Sequence, residues 1–109
     1  MPQYMLQFRY SPESWNALIR NPEDRTAAVE AVAKSFGGRL VALYYHSGKF
    51  DGTVIIEAPD DTTANAMVFA VAASGALGAS KTTRLFSSKE FVDSLTRAGK
   101  VAYRPPGKS

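Results

Sequence analysis

The chain opens with a short stretch in which apolar and polar residues alternate. The apolar members are Tyr4, Leu6, Phe8 and Tyr10. Because successive side chains of a strand point to opposite faces, this period of two predicts a strand over residues 4–10 with one apolar and one mixed face. Ser11-Pro12 ends the strand, and Ser11 is expected to cap a short helical turn.

Two longer segments carry apolar residues at helical spacing. Their apolar positions are Val29, Val32, Phe36, Ala64, Met67, Val68 and Val71. Asn21, followed by a proline, is a favourable N-cap and predicts the start of the first helix, which Gly37-Gly38 ends in a left-handed cap. Asp60 or Asp61 is expected to cap the second helix, which Gly75 and Gly78 end.

Three further segments are rich in strand-forming residues and are predicted as strands over residues 39–47, 53–58 and 79–86. Residues 47–52 join the first two as a hairpin loop. Ser87 and Glu90 form a capping box that starts a short helix ending at Gly99. The order strand, helix, strand, strand, helix, strand predicts an α+β, ferredoxin-like βαββαβ sandwich with an antiparallel four-stranded sheet, plus a short C-terminal helix.

The predicted layout leaves one face of the sheet bare, because both long helices cover the other face. Depending on which way the strands face, the bare side exposes Leu6 and Phe8, or Tyr44 and Ile55. Patches of this size favour an interface, and pairing of two identical sheets is the simplest closure. We predict one domain over residues 1–99 and a flexible tail over residues 100–109, which are too polar and proline-rich to pack.

Composition limits the classes of binding partner and the cellular compartment that we expect. The net charge of +3 comes from scattered basic residues, without the stripe that nucleic-acid binding needs, so no nucleic acid is predicted. No apolar run approaches the length of a membrane span, and residues 1–4 do not resemble a signal peptide, so no membrane association is predicted. The chain has no cysteine. These features predict a soluble cytoplasmic protein.

Residues 75–82 resemble a phosphate-binding loop in their first glycine, lysine and threonine, but Ser80 replaces the second glycine. A phosphate loop also needs the order strand, loop, helix, whereas here a helix precedes the segment and a strand follows it. We therefore expect no nucleotide site.

The strongest candidate for chemistry is His46, the only histidine. An imidazole titrates near neutral pH and can act as an acid or base, and Arg9 is a second catalytic candidate. The alternative for His46 is a solvent-facing strand end. A single histidine without cysteine does not make an ordinary zinc or haem site, so no metal or cofactor is predicted.

Other polar and aromatic residues are candidates for ligand binding. Arg9, Glu57 and Arg84 come from three strands and could converge on one cavity, although a rim salt bridge or a solvent-exposed position is the favoured alternative. Tyr10 and Tyr44 could line a ligand pocket, whereas packing in the core or an interface is the alternative for such aromatics.

The chain resembles the GYD-domain proteins within the dimeric α/β-barrel superfamily. The segments that carry the resemblance are Met1-Pro2-Gln3-Tyr4, Gly37-Gly38-Arg39-Leu40, Gly48-Lys49-Phe50-Asp51 and Val54-Ile55-Ile56-Glu57-Ala58-Pro59-Asp60-Asp61. The family is named for a Gly-Tyr-Asp signature, and here Lys49-Phe50-Asp51 follows Gly48, so the tyrosine hydroxyl is absent. The resemblance implies the fold and a back-to-back pairing of sheets as a dimeric α/β barrel.

Two functions remain open on the sequence. The first is a homodimer, or a higher assembly of itself, that binds a small amphipathic or aromatic ligand or serves a structural role. The second is a cofactor-independent oxygenase or isomerase that acts on a small aromatic or polyketide-like substrate with His46 or Arg9. The discriminating observation is whether His46 and Arg9 share a cavity.

Overall fold

The computed structural model describes residues 1–108 and forms four strands and four helices within them. In chain order the elements are β1 (Gln3–Tyr10), α1 (Pro12–Arg20), α2 (Thr26–Ser35), β2 (Arg39–Tyr45), β3 (Gly52–Glu57), α3 (Asp61–Ala73), β4 (Leu77–Leu85) and α4 (Ser88–Ala98). Ser109, at the end of the predicted tail, lies outside the described residues.

The strands form one antiparallel sheet in the order β2-β3-β1-β4. Gln3 faces Glu57 of β3 on one side and Leu85 of β4 on the other, so the first strand lies at the centre of the sheet. This arrangement of strands and helices confirms the predicted ferredoxin-like α+β fold.

The alternation in β1 separates the two faces of the sheet as predicted. Tyr4 and Phe8 are buried beneath the helices, together with Val54 and Ile56 of β3. Their helix partners include Met67 of α3, which belongs to the same core cluster. Burial of this apolar surface is the main favourable contribution to the fold.

The opposite side of the sheet, here called the bare face, carries no helix within the described residues. Its middle row runs across all four strands and comprises Ala42, Ile55, Met5 and Thr83. Tyr44 lies on the same face, opposite Thr53, and is exposed. Of the two predicted alternatives, the structure therefore exposes Tyr44 and Ile55 on the bare face, while Leu6 and Phe8 lie under the helices.

The predicted start of the first long helix is wrong. Asn21 ends α1 instead, with its backbone N–H bonded to the carbonyl of Ala17. The helix α2 begins at Thr26, whose N–H and hydroxyl both donate to the Asp24 carboxylate, at 2.9 and 2.6 Å. The intervening turn is favoured because an aspartate side chain competes for the backbone donors that a longer helix would use.

Most other element ends follow the predicted signals. Asp60, rather than Asp61, caps α3, and its carboxylate accepts from the Thr63 N–H at 2.8 Å. The capping box between Ser87 and Glu90 is present at the start of α4. The strand β2 ends two residues before the predicted limit, because its pairing with β3 stops where Tyr45 faces Gly52.

Candidate functional site

A cavity of about 150 Å³ lies between the helix-covered face of the sheet and the helices α2 and α3. We call it the helix-side cavity. Its apolar walls include Leu6, Phe8, Val29, Val32, Val68 and Val71. Apolar cavities of about this volume accept molecules the size of benzene. The helix-side cavity is therefore suited to a small, mostly apolar molecule.

Polar atoms enter the cavity wall at few positions. The lining residues whose polar side chains can face the cavity are Tyr10, Arg25 and Ser80, while the side chain of Gln7 lies in the bare-face row with Lys81. Arg25 stands at the N-cap position of α2 and pairs with Glu23 at 2.6 Å. Because this ion pair is exposed on both sides, a ligand carboxylate can compete for the guanidinium at little cost.

Tyr10 joins the cavity to a cluster of aromatic side chains. Its hydroxyl lies 3.0 Å from the hydroxyl of Tyr45, and its ring packs edge-on against Trp15 and Phe8. Burial, and next the hydrogen bond with Tyr45, raise the pKa of Tyr10. The Tyr10 hydroxyl therefore keeps its proton at physiological pH and can donate it to Tyr45 or to a ligand acceptor.

The hairpin between β2 and β3 is fastened to the end of β1. The Asp51 carboxylate accepts from the Tyr10 N–H at 3.0 Å, and the Asp51 N–H donates to the Phe8 carbonyl at 2.8 Å. The Arg9 guanidinium donates to the Lys49 carbonyl through Nε at 3.1 Å and Nη2 at 2.6 Å. These contacts hold the hairpin loop, which includes the Gly48–Asp51 segment, against β1.

The two predicted catalytic residues lie near this hairpin and not in the helix-side cavity. His46 is exposed just beyond the end of β2, and its Nε2 is 2.7 Å from Thr53 Oγ1. Arg9 is exposed on the bare face and is engaged by the hairpin carbonyl. Among the described residues, neither side chain contributes to the cavity wall.

The predicted ligand-binding residues are not brought together either. Glu57 lies at the far end of the bare face from Arg9, where it pairs with Arg39 at 3.0 Å. That hydrogen bond is the first cause of a lowered pKa of Glu57. Tyr44 is on the bare face, whereas Tyr10 is the one member of the predicted set that lines the helix-side cavity.

Arg84 lies on the helix-covered face, opposite Tyr4, and does not meet Arg9 or Glu57. Its guanidinium carbon is 5.7 Å from the centre of the Tyr4 ring and 4.9 Å from that of Phe86. The guanidinium also lies near Asp61 and Glu90, at 3.9 and 3.6 Å. Arg84 therefore links the sheet to the starts of α3 and α4, which is a structural position.

Sequence reasoning missed Arg25 and the helix residues around the cavity. A helix that starts at Asn21 would place Arg25 in its interior and not at its end. The pattern Asp24-Arg25-Thr26 was the available signal, since an aspartate two residues before a threonine favours a turn and a later helix start. The width of the gap between α2 and α3 depends on tertiary packing, which local patterns do not report.

Residues 1–108 hold no group of three or more histidine, aspartate or glutamate side chains placed to bind a metal ion. The helices within those residues are all too short or too polar to cross a membrane.

Solved structures are similar to this chain at low sequence identity. The crystal structure of MtbAldR (Rv2779c) matches with a TM-score of 0.57 and 16% identity, over 80% of this chain and 54% of that one. This chain therefore spans about half the length of MtbAldR. TTHA0845 from Thermus thermophilus matches with a TM-score of 0.45 and 13% identity, over 81% of this chain and 96% of that one. At these identities the likeness to MtbAldR concerns the fold alone.

The sequence itself matches a family. No curated protein matches the chain. The family model described as the GYD domain matches residues 4–95, which include nearly all of the sheet and the hairpin that carries the signature. The match covers most of the 109 residues and confirms the predicted resemblance. The chain belongs to the GYD domain family.

Proposed function

We propose that this chain is a homodimeric binding module that takes a small, mostly apolar ligand with one polar or anionic end into the helix-side cavity. The observation that carries the proposal is the apolar cavity of about 150 Å³ with Tyr10 and Arg25 in its wall. An apolar pocket with few polar groups is the usual form of a small-molecule site. The volume favours a single ring or a short aliphatic chain over a larger substrate.

The polar lining favours an acid as the ligand. The Arg25 guanidinium supplies a charged donor, and the Tyr10 hydroxyl, which is paired with that of Tyr45, supplies a hydroxyl donor. Hydrogen bonds between charged groups are stronger than those between neutral groups. Benzoate and hexanoate are therefore suitable probes, and toluene is the matched probe without a carboxylate.

Binding is favoured over acid–base catalysis by the same lining. Among the described residues around the cavity there is no histidine, aspartate, glutamate or lysine. An oxygenase or isomerase that relies on His46 or Arg9 needs one of them beside the substrate, and both lie outside the cavity.

The homodimer is supported by the composition of the bare face. Met5, Ile55 and Ala42 form an apolar middle row, and charged residues such as Arg39 and Lys81 lie in the rows on either side. An apolar centre with a polar rim is the usual anatomy of a protein–protein interface.

The test for the ligand uses a pair of alanines on α2. Ala28 lines the cavity and its neighbour Ala27 is exposed, so leucine at residue 28 projects into the cavity and leucine at residue 27 projects into solvent. We expect Ala28→Leu to weaken benzoate binding at least about tenfold, and Ala27→Leu and His46→Ala to leave it unchanged. Binding would be followed by calorimetry or by shifts of amide resonances.

The polar end is tested with charge-removing variants. Arg25→Gln should weaken benzoate about tenfold and leave toluene unaffected, whereas Arg20→Gln, at an exposed position of α1, should change neither. Benzoate binding that survives Ala28→Leu, or that disappears in His46→Ala, would show that the ligand occupies another place.

A further inference from the structure

The helix α4 has a clear apolar side that touches little of the body. Phe91, Val92 and Leu95, with Ala98 one turn further, lie along one side of the helix, and we call them the α4 stripe. The three larger side chains remain 60%, 57% and 55% exposed. The other side of α4 is charged, and an amphipathic helix of this kind normally buries its apolar side.

The start of α4 is held in a fixed direction. Only Phe86 and Ser87 separate β4 from α4, and Ser87 has extended backbone angles. The capping box with Glu90 occupies the first turn, and Arg84 approaches the Glu90 carboxylate at 3.6 Å. The capping box turns with the helix, whereas the contact between Arg84 and Glu90 ties α4 to β4 in a direction that leaves the stripe exposed.

The chain exposes more surface than a compact monomer of its mass, and α4 and the exposed residues 99–108 both contribute to the excess. Its accessible surface is 7653 Å², whereas a folded monomer of 11.8 kDa exposes about 5,900 Å². The difference of roughly 1,750 Å² is about twice what each partner of a standard interface buries and is in the range for each partner of an obligate homodimer. The radius of gyration of 17.9 Å also exceeds the value of about 13 Å for a compact chain of this length.

A lipid surface is a poor match for the stripe. The charged residues of α4 are Lys89, Glu90, Asp93 and Arg97, two of each sign, and Asp93 pairs with Arg97 at 3.1 Å. Helices that lie on membranes are usually rich in lysine and arginine on the polar side. The balanced charge of α4 lacks that feature.

We propose that α4 is an arm that packs its stripe against a second copy of this chain, so that two copies exchange their C-terminal helices. The inference rests on the homodimer of the proposed function and names the element that secures it. The arm leaves the sheet beside Leu85, the last bare-face residue of β4, so it starts at the rim of the surface proposed to pair. Two-fold symmetry would form the same arm contact twice, once from each copy.

The first test compares two serine pairs on the same helix. The double variant Phe91→Ser with Leu95→Ser, here called the stripe pair, removes two large apolar side chains of the stripe. The double variant Asp93→Ser with Arg97→Ser, here called the charge pair, removes an exposed ion pair and keeps the net charge. We expect the wild type and the charge pair to be dimers in sedimentation analysis, and the stripe pair to dissociate about a hundredfold more readily.

The outcomes separate the arm from the rest of the proposal. A stripe pair that dimerises like the wild type would overturn the arm and leave the homodimer standing. A wild type that is monomeric at micromolar concentration would overturn both, while ligand binding in the helix-side cavity, measured separately, would keep or lose its own support.

The second test locates the arm without disturbing the stripe. Because the chain has no cysteine, Lys89→Cys on the polar side of α4 gives a single attachment point for a nitroxide label. The labelled chain is mixed with isotope-labelled wild type, and we expect broadened amide resonances in the unmodified copy. If resonances broaden only when the nitroxide and the isotope label are in the same chain, α4 folds back on its own chain, and the proposal would be overturned.

Discussion

At the scale of single residues, the Gly48–Asp51 segment is held against β1 by its backbone and by one carboxylate. The carboxylate of Asp51 and the carbonyl of Lys49 engage β1, while the side chain of Phe50 carries no hydroxyl. The contacts that fasten the hairpin here do not need a hydroxyl at residue 50. The turn does need Gly48, whose φ of +112° lies in the left-handed region.

Replacing Gly48 by valine should lower the free energy of unfolding by about 1 kcal/mol or more, because a β-branched residue is strained at positive φ. A side chain at this position would meet no atom within 4 Å, so the loss would come from the backbone alone. Denaturant unfolding measures it, and Gly48→Asn, which tolerates positive φ better, is the control. Equal stability of the valine variant and the wild type would contradict the strain.

The raised pKa of Tyr4 predicts that the protein loses stability at alkaline pH. Burial, and next the 2.5 Å hydrogen bond to Asp61, raise the pKa of Tyr4 to about 12 from its ordinary value of 10.0. Because the folded state holds this proton more tightly, its stabilising effect is complete below pH 10 and is lost as the pH rises towards 12.

The measurement is the free energy of unfolding as a function of pH. Tyr4→Phe should reduce the slope between pH 10 and 12 by about one proton. The same slope in wild type and variant would show that the tyrosine does not titrate differently on folding.

At the scale of elements, prediction succeeded where a short segment carries its own signal. The alternation in β1, the caps at Asp60 and Ser87, and the left-handed Gly37 are local features, and the structure has each of them. Prediction failed at Asn21, where the same residue suits a helix start and a helix end. The choice between the two depends on Asp24, which captures the first backbone donors of α2.

The cap of α3 gives a prediction at this scale. Asp60→Ala should lower the free energy of unfolding by about 1 kcal/mol, because the Thr63 N–H loses its acceptor, whereas Asp60→Asn keeps an acceptor. Hydrogen bonds with Thr63 lower the pKa of Asp60, so the carboxylate stabilises the fold at neutral pH.

That contribution is lost as the pH falls through the lowered pKa. The difference between wild type and Asp60→Asn should therefore shrink in acid, and thermal melts at several pH values measure it. A difference that grows in acid would show that the charge of Asp60 opposes the fold.

At the scale of the whole molecule, the candidate site was harder to predict from the sequence than the fold. The helix-side cavity joins residues from β1, α2, α3 and β4, so its wall depends on how far apart two helices settle on the sheet. The position of Arg84 was also not predictable. The face of the sheet to which each β4 side chain points is set by the pairing of β4 with β1, and the β4 sequence has no pattern that reports it. Only Tyr10 was predicted as a ligand-binding residue and lines the cavity.

The bare face gives a prediction for the assembly. Ile55 lies in its middle row, and Ile55→Glu would place a charge at the centre of the proposed interface without entering the core. We expect this variant to be monomeric by light scattering at micromolar concentration, because an unpaired charge is costly to bury. Ala27→Glu, at an exposed position of α2, should remain a dimer. A dimeric Ile55→Glu variant would exclude the bare face as the interface.

The central place of β1 also bears on how the protein is made. The strand that completes the sheet, β4, begins at Leu77, so a ribosome releases β1 long before its second neighbour exists. Until then one edge of β1 has unpaired backbone groups beside aromatic side chains, which is a template for association between nascent chains. We therefore expect translation stalled before Leu77 to yield insoluble fragments, and chaperones to matter most in the interval before the last strand emerges.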